Sequence, residues 1–123
     1  MSTNVNHYIL FGINLKNEPE LIQKFKEDYL KNNPDIEYSD DLYDVFEPYM
    51  KKDSEWNCIF DGMSMKSILF GKLINIGDQY EGMNLKETSF EELSLFGKQL
   101  TEYIKIKFNY VIEPKLFSLS LWS

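Results

Sequence analysis

Hydrophobic residues recur along this chain with two different periods, and the change of period predicts its strands and helices. Residues 7–15 (HYILFGINL) are apolar on both alternating sets of positions, which is typical of a strand with a neighbour on each side. Residues 66–76 (KSILFGKLINI) share this character. We therefore expect both strands to lie inside a sheet.

Two longer segments carry apolar residues three and four positions apart, the spacing of one helical face. The first begins after Asn17, has Pro19 in its first turn and ends near Lys31, before an Asn-Asn-Pro sequence. The second begins at Thr88 or Ser89, each followed three residues later by Glu. Its predicted buried stripe consists of Phe90, Leu93, Phe96, Gly97, Leu100, Tyr103, Ile104 and Phe108.

Two more strands are predicted from alternation. Trp56, Cys58 and Phe60 occupy every second position before an Asp-Gly turn at residues 61–62, so this segment forms a hairpin with residues 66–76. Residues 115–122 make the last strand. The side chains expected to point inward from it are those of Phe117, Leu119 and Leu121.

The predicted order of elements is strand, helix, short acidic helix, strand, strand, helix, strand. This is the order of split βαβ domains. We therefore expect one α+β domain over residues 1–123, with a two-layer ferredoxin-like antiparallel sheet. Two main helices would cover one face, and the short acidic helix would be inserted before the second strand. The first and third strands are central in such a sheet, in agreement with their apolar composition.

Charge is concentrated in residues 35–61, which contain nine carboxylates and two lysines. The net charge of this segment, −7, equals the net charge of the whole 123-residue chain. Ser39 is predicted to cap a short helix here, and Pro48 limits it. The predicted apolar stripe of this helix consists of Leu42, Val45, Phe46 and Tyr49. Acidic and aromatic residues alternate, which favours a surface for a basic partner. The predicted partner-binding residues are Asp35, Glu37, Tyr38, Asp40, Asp41, Tyr43, Asp44, Glu47, Tyr49 and Trp56. The alternative is a helix that covers the core and carries solvated charge outward.

The chain has few residues that could support catalysis or metal binding. The chain has no Arg, one His (His7) and one Cys (Cys58), so guanidinium clamps and an internal disulfide are excluded. Its acidity argues against direct binding of nucleic acid. We expect no cofactor, no metal ion and no catalytic residues, and an enzyme that uses Asp61 or a neighbouring acid is the least favoured alternative. Neither a signal-peptide core nor an apolar run that could span a bilayer is present, so we expect a cytoplasmic protein.

The chain has no Arg and no Ala but many Asn, Ile, Lys, Tyr and Phe, a composition typical of an AT-rich genome such as that of a low-GC bacterium or its phage. In this composition, small size, acidity and absent catalytic motifs, it resembles the general character of two groups of inhibitors. One is the phage-coded inhibitors of bacterial defence nucleases, including anti-CRISPR proteins, and the other is the immunity proteins of nuclease toxins. The resemblance implies a non-catalytic protein whose carboxylates occupy the basic nucleic-acid-binding surface of a larger protein in the host cytoplasm.

A second class of function depends on the sheet face opposite the helices. We expect Tyr8, Leu10 and Trp122, with Ile59 and Leu69, to lie on this face. If the acidic segment does not cover them, they would form a homodimer interface or a docking surface. The alternative function is therefore a sponge-like dimeric domain that binds a small molecule between the two sheets.

Overall fold

The computed structural model describes residues 5–36, 41–51, 53–60, 67–78, 82–83 and 87–122. These residues form three helices and a sheet of four main strands, to which a two-residue strand is added. The strands are β1 (Val5–Asn14), β2 (Asn57–Phe60), β3 (Ile68–Asp78), the two-residue β4 (Gly82–Met83) and β5 (Lys115–Trp122). The helices are α1 (Pro19–Asn32), α2 (Leu42–Phe46) and α3 (Phe90–Phe108), with 3₁₀ turns at Leu15–Asn17 and Glu47–Tyr49. The predicted α+β class is confirmed, and the predicted Asp61-Gly62 turn lies outside the described residues.

The long strands form an open antiparallel sheet in the order β2-β3-β1-β5, and β4 pairs with the end of β3. The two strands with apolar residues on both alternations, β1 and β3, are the central ones, as predicted. β2 and β5 are at the two ends of this order. None of the described helices is both long and apolar enough to cross a membrane.

Helix starts follow the sequence signals closely. The Ser89 hydroxyl accepts a hydrogen bond from the backbone N–H of Glu92 at 3.1 Å, so the predicted cap of α3 is confirmed. Pro19 opens α1 as expected, but the N-cap position is occupied by Glu18, whose side chain makes no capping hydrogen bond. Asn17 belongs to the preceding 3₁₀ turn. Because Asn17 is part of that turn, the α-helix begins one residue later than predicted.

The core lies between the helices and one face of the sheet. Its buried members are Ile13, Leu15, Leu21, Phe25, Val45, Phe46, Trp56, Cys58, Phe60, Ile68, Phe70, Leu100, Ile104, Phe108 and Ile112. Phe25 is central: its ring centroid is 4.9 Å from that of Phe46, 5.2 Å from that of Phe70 and 4.5 Å from that of Phe108. One ring therefore contacts α2, β3 and α3.

The buried stripe of α3 begins later than predicted. Phe90 is 90% exposed, whereas Leu100, Ile104 and Phe108 are buried. Phe96 is half-buried, with the Lys72 ammonium 5.6 Å from its ring centroid. The first turn of α3 therefore continues the helical spacing of apolar residues, but no described element covers Phe90.

β5 presents its large side chains to the opposite face from the one predicted. Leu119 pairs with Tyr8 and Phe117 with Leu10, and paired residues of an antiparallel ladder share a face. Ile13 belongs to the core under the helices, so alternation along β1 places Tyr8 and Leu10 on the other face, hereafter the second face. The prediction that Phe117, Leu119 and Leu121 point toward the helices is wrong, because pairing with β1 fixes the register.

A bulge alters the facing of β3. Ile9 pairs with Asn75, and the next residue, Leu10, pairs with Leu73, so Ile74 is an extra residue in β3. After the bulge, each β3 side chain points to the opposite sheet face from the one that unbroken alternation along β3 would give it. The end of β3 therefore adds Ile76, which pairs with Tyr8, to the second face.

We expect Phe25→Ala to lower the free energy of unfolding by about 3–5 kcal/mol, because it opens a cavity where three elements meet. Phe90→Ala is the matched control, with an expected loss below about 0.5 kcal/mol because the side chain is exposed. Urea denaturation followed by circular dichroism measures both. Equal losses would contradict the position of the core.

Candidate functional site: an acidic and aromatic surface beside β2

The acidic segment forms α2 and the 3₁₀ turn after it, packed on the core just before β2. The Asp41 carboxylate accepts a hydrogen bond from the backbone N–H of Tyr43 at 2.9 Å, so Asp41 caps the helix. The predicted capping residue, Ser39, lies outside the described residues. Pro48 stands within the 3₁₀ turn, where the α-helix has already ended, as predicted.

The segment divides into a buried stripe and an exposed row. The predicted apolar stripe is confirmed, with Val45 and Phe46 buried and with Leu42 and Tyr49 partly buried against the core. The exposed residues include Asp41, Tyr43, Asp44 and Glu47, and we call these four the acidic patch. Its three carboxylates are spaced three residues apart, which places neighbouring Cβ atoms about 5–6 Å from one another on one side of the helical turn.

Tyr43 supplies a flat aromatic surface within the acidic patch. Its ring stacks on that of Phe60, with centroids 4.6 Å apart and an interplanar angle of 15°. The side chain nevertheless remains 43% exposed. Because β2 holds Phe60, the exposed ring is kept in place before any partner arrives.

One predicted contact residue, Trp56, lies inside the protein, and a second, Tyr49, is partly buried. Trp56 is only 4% exposed, and its ring centroid is 6.0 Å from that of Tyr103. Its indole Nε1 is buried and has no hydrogen-bond partner among the described residues. The Tyr49 hydroxyl is 3.0 Å from that of Tyr103, and burial, reinforced by this hydrogen bond, raises the pKa of Tyr49. Trp56 is therefore corrected from a contact residue to a core residue, and Tyr49 is largely a packing residue.

The remaining predicted site residues are exposed or undescribed. Asp35 is exposed, as are Asp53 and Glu55, two acids of the same segment that the site prediction omitted. Their position next to the predicted site residues in the sequence could have identified Asp53 and Glu55 as members of the same acidic surface. The predicted residues Glu37, Tyr38 and Asp40 lie outside the described residues.

An apolar groove of about 340 Å³ opens beside the acidic patch. Residues from four strands and from the acidic segment line it, among them Tyr8, Tyr43, Met50, Ile59, Ile76 and Leu121. Sequence patterns missed this groove because it depends on the facing of β5 and on the bulge in β3. Its volume is at the lower end of the range for small-molecule sites, roughly 300–1,000 Å³.

The single cysteine and the single histidine of the chain, Cys58 and His7, are far apart. Cys58 pairs with Phe70, which pairs with Ile13, and Ile13 lies roughly 20 Å along β1 from His7 at the rise of a strand. The His7 imidazole hydrogen-bonds instead to the Ser120 hydroxyl, with Nδ1 and Oγ 2.8 Å apart. Within the described ranges, no three His, Cys, Asp or Glu residues are grouped so that they could hold a metal ion.

The chain matches no protein-family model, no curated protein and no solved structure. What the protein does is therefore inferred from its own residues and their contacts.

Burial of ionisable groups beneath the acidic patch predicts a loss of stability at alkaline pH. Burial raises the pKa of the Cys58 thiol above its ordinary value of 9.0, so the folded protein keeps a proton that the unfolded chain releases. The free energy of unfolding should therefore fall as the pH rises past 9.0. Above pH 10.0, Tyr49 adds to the fall, as does Tyr110, whose hydrogen bond to Glu18 raises its pKa to about 12.

Cys58→Ala removes one of these contributions. Urea midpoints of the wild type and the variant, compared from about pH 8 to pH 10, should diverge least at the alkaline end, because only the wild type has this thiol. Parallel curves would contradict a protonated, buried Cys58.

Proposed function

We propose that this protein is a small, non-catalytic inhibitor whose acidic patch occupies the basic nucleic-acid-binding surface of a larger protein. The observation that carries the proposal is the exposed row of Asp41, Asp44 and Glu47 beside the exposed ring of Tyr43. The class that we favour is the phage-coded inhibitors of defence nucleases, acting in the host cytoplasm, and the immunity proteins of nuclease toxins come next.

The chemistry of the acidic patch supports a basic partner. Carboxylates in a row attract a cationic surface over a distance and accelerate association, although each exposed pair adds little affinity. Tyr43 adds contact area, and an aromatic face is also a good partner for Arg or Lys side chains. The competing interpretation is structural, with α2 covering the core and its charges only solvated. Neutralising the charges of the acidic patch by substitution distinguishes the two.

The groove supports a second candidate function. Its apolar lining and its tyrosines suit a small, flat molecule, in keeping with the sponge-like alternative. Native mass spectrometry of the purified protein tests this candidate, because a bound molecule adds a defined mass that denaturation removes. An enzyme that uses acidic residues remains the weakest alternative, and Asp61 lies outside the described residues.

We also propose that the domain belongs to the ferredoxin-like class. Support comes from central β1 and β3, from β2 and β5 as outer strands, and from antiparallel pairing throughout. Helices α1 and α3 both contribute to the core on one face of the sheet. The additions to the basic order are the acidic segment before β2 and the short β4.

The first test replaces the charges of the acidic patch while keeping its shape, in the triple variant Asp41→Asn, Asp44→Asn, Glu47→Gln. Asn at the capping position preserves the cap, so the fold should be retained. The matched control is Glu27→Gln, Glu102→Gln, Glu113→Gln, which removes three exposed charges elsewhere and has the same net charge. Each immobilised protein is exposed to lysate of a low-GC bacterium, and bound proteins are eluted with DNA or RNA.

The wild type and the control should retain a basic protein that nucleic acid displaces, and the acidic-patch variant should lose it. Raising the salt concentration should weaken binding of the wild type and control more steeply than that of the acidic-patch variant. Equal retention by the two variants, or a retained protein that nucleic acid does not displace, would sink the proposal.

The second test concerns Tyr43. Tyr43→Ala should weaken binding to the captured protein by about tenfold, which corresponds to about 1.4 kcal/mol, because it removes an ordered aromatic contact. Tyr43→Phe keeps the stacked ring and should bind nearly as well as the wild type. Unlike the loss of charge, this effect should vary little with salt, as titration calorimetry would measure. Equal affinity of the Ala and Phe variants would exclude the ring from the interface.

A further inference from the structure

The outer edge of β5 is a sheet edge to which no other described strand is paired. β5 is last in the strand order, and its continuous register with β1 runs from Gly12↔Lys115 to Val5↔Trp122. None of its side chains from residue 115 to residue 121 is buried. Every second residue of such a strand therefore directs its backbone N–H and C=O groups away from the sheet.

β5 has few of the features with which proteins protect an edge strand. Such features are charged side chains, Pro within the strand, bulges and very short length. β5 is eight residues long, its pairing with β1 has no bulge, and its one charge is that of Lys115 at its first position. Pro114 stands just before the strand and leaves the eight residues free to pair. The edge therefore suits the addition of another strand.

We propose that a second copy of this chain pairs with this edge, so that two β5 strands run antiparallel about a two-fold axis and form one eight-stranded sheet. Antiparallel self-pairing is the arrangement that two-fold symmetry produces, and the same residues then serve on both sides. Phe117, Leu119 and Leu121 of the two copies would lie next to one another on the second face. The exposed Ser118 and Ser120 would meet on the helix side.

The distribution of charge favours a second copy at this edge despite the net charge of −7. The acidic patch precedes β2, at the opposite end of the strand order. Seven strand spacings would separate the two copies of β2, roughly 33 Å at about 4.8 Å each. This is several times the Debye length of about 8 Å at physiological ionic strength. The two acidic patches would thus repel each other little.

A dimer through the edge replaces the sheet-face dimer expected from the sequence. Leu10 is fully buried and Leu69 is 3% exposed within a single chain, so they offer little surface on the second face. The side chain of Trp122 lies outside the described part. Pairing at the edge goes beyond the proposed inhibitor function, because it would place one acidic patch at each end of a continuous sheet and permit bivalent binding.

The test is the mass of the purified protein in solution, measured by light scattering during size-exclusion chromatography. The wild type should have twice the 14.6 kDa mass of one chain. Ser118→Lys, Ser120→Lys places charges on the edge and should yield monomers. The matched control, Gln23→Lys, Gln99→Lys, adds two charges at exposed helical positions and should remain a dimer. Circular dichroism should be the same for all three proteins.

Hydrogen exchange provides a measurement that needs no variant. The β5 amides that point away from β1 should exchange faster when the wild type is diluted. Those of β1, and the β5 amides that pair with β1, should be unaffected because they are bonded within one chain. A monomeric wild type, a dimer that survives the β5 substitutions, or β5 exchange that is independent of concentration would each overturn the proposal. Survival of the dimer would place the interface on another surface, such as the second face.

Discussion

The packing of Phe25 is the interaction on which the rest of the structure depends. Its ring lies within 6 Å, centroid to centroid, of the rings of Phe46, Tyr49, Phe70 and Phe108. These four rings belong to α2, the 3₁₀ turn, β3 and α3, so one side chain of α1 joins every helix to the sheet. Aromatic pairs of this kind add stabilisation beyond the area that they bury.

The same packing decides how the acidic segment faces. With Phe46 and Tyr49 held against Phe25, the carboxylates between and beside them have to face solvent. The Tyr49 hydroxyl also contacts that of Tyr103, to which Lys107 donates a hydrogen bond at 3.4 Å. The acidic patch is thus ordered by the core before any partner binds, which lowers the entropy that binding would cost.

The two ends of the sheet differ in character. The end at β2 carries the acidic patch, whereas β5 carries a single charge and an unprotected edge. The apolar groove reaches from the acidic segment across the sheet to Leu121 of β5. In the proposed dimer, like charge is tolerated because the acidic patches remain far from the contact at β5. One end therefore suits a basic partner and the other a second copy, and the two contacts do not compete for the same surface.

The sequence by itself determined the elements, because hydrophobic period and capping are local. It predicted Ser89 as one of two candidate caps, the two central strands, and Val45 on the buried stripe of an acidic helix. Only the tertiary structure decided which faces these elements use. Trp56 is buried and Phe90 exposed because neighbouring elements cover one and not the other. Leu119 points to the second face because β1 is apolar on both faces, so pairing with it, and not pattern, selects the register. The groove likewise exists only where several distant strands meet.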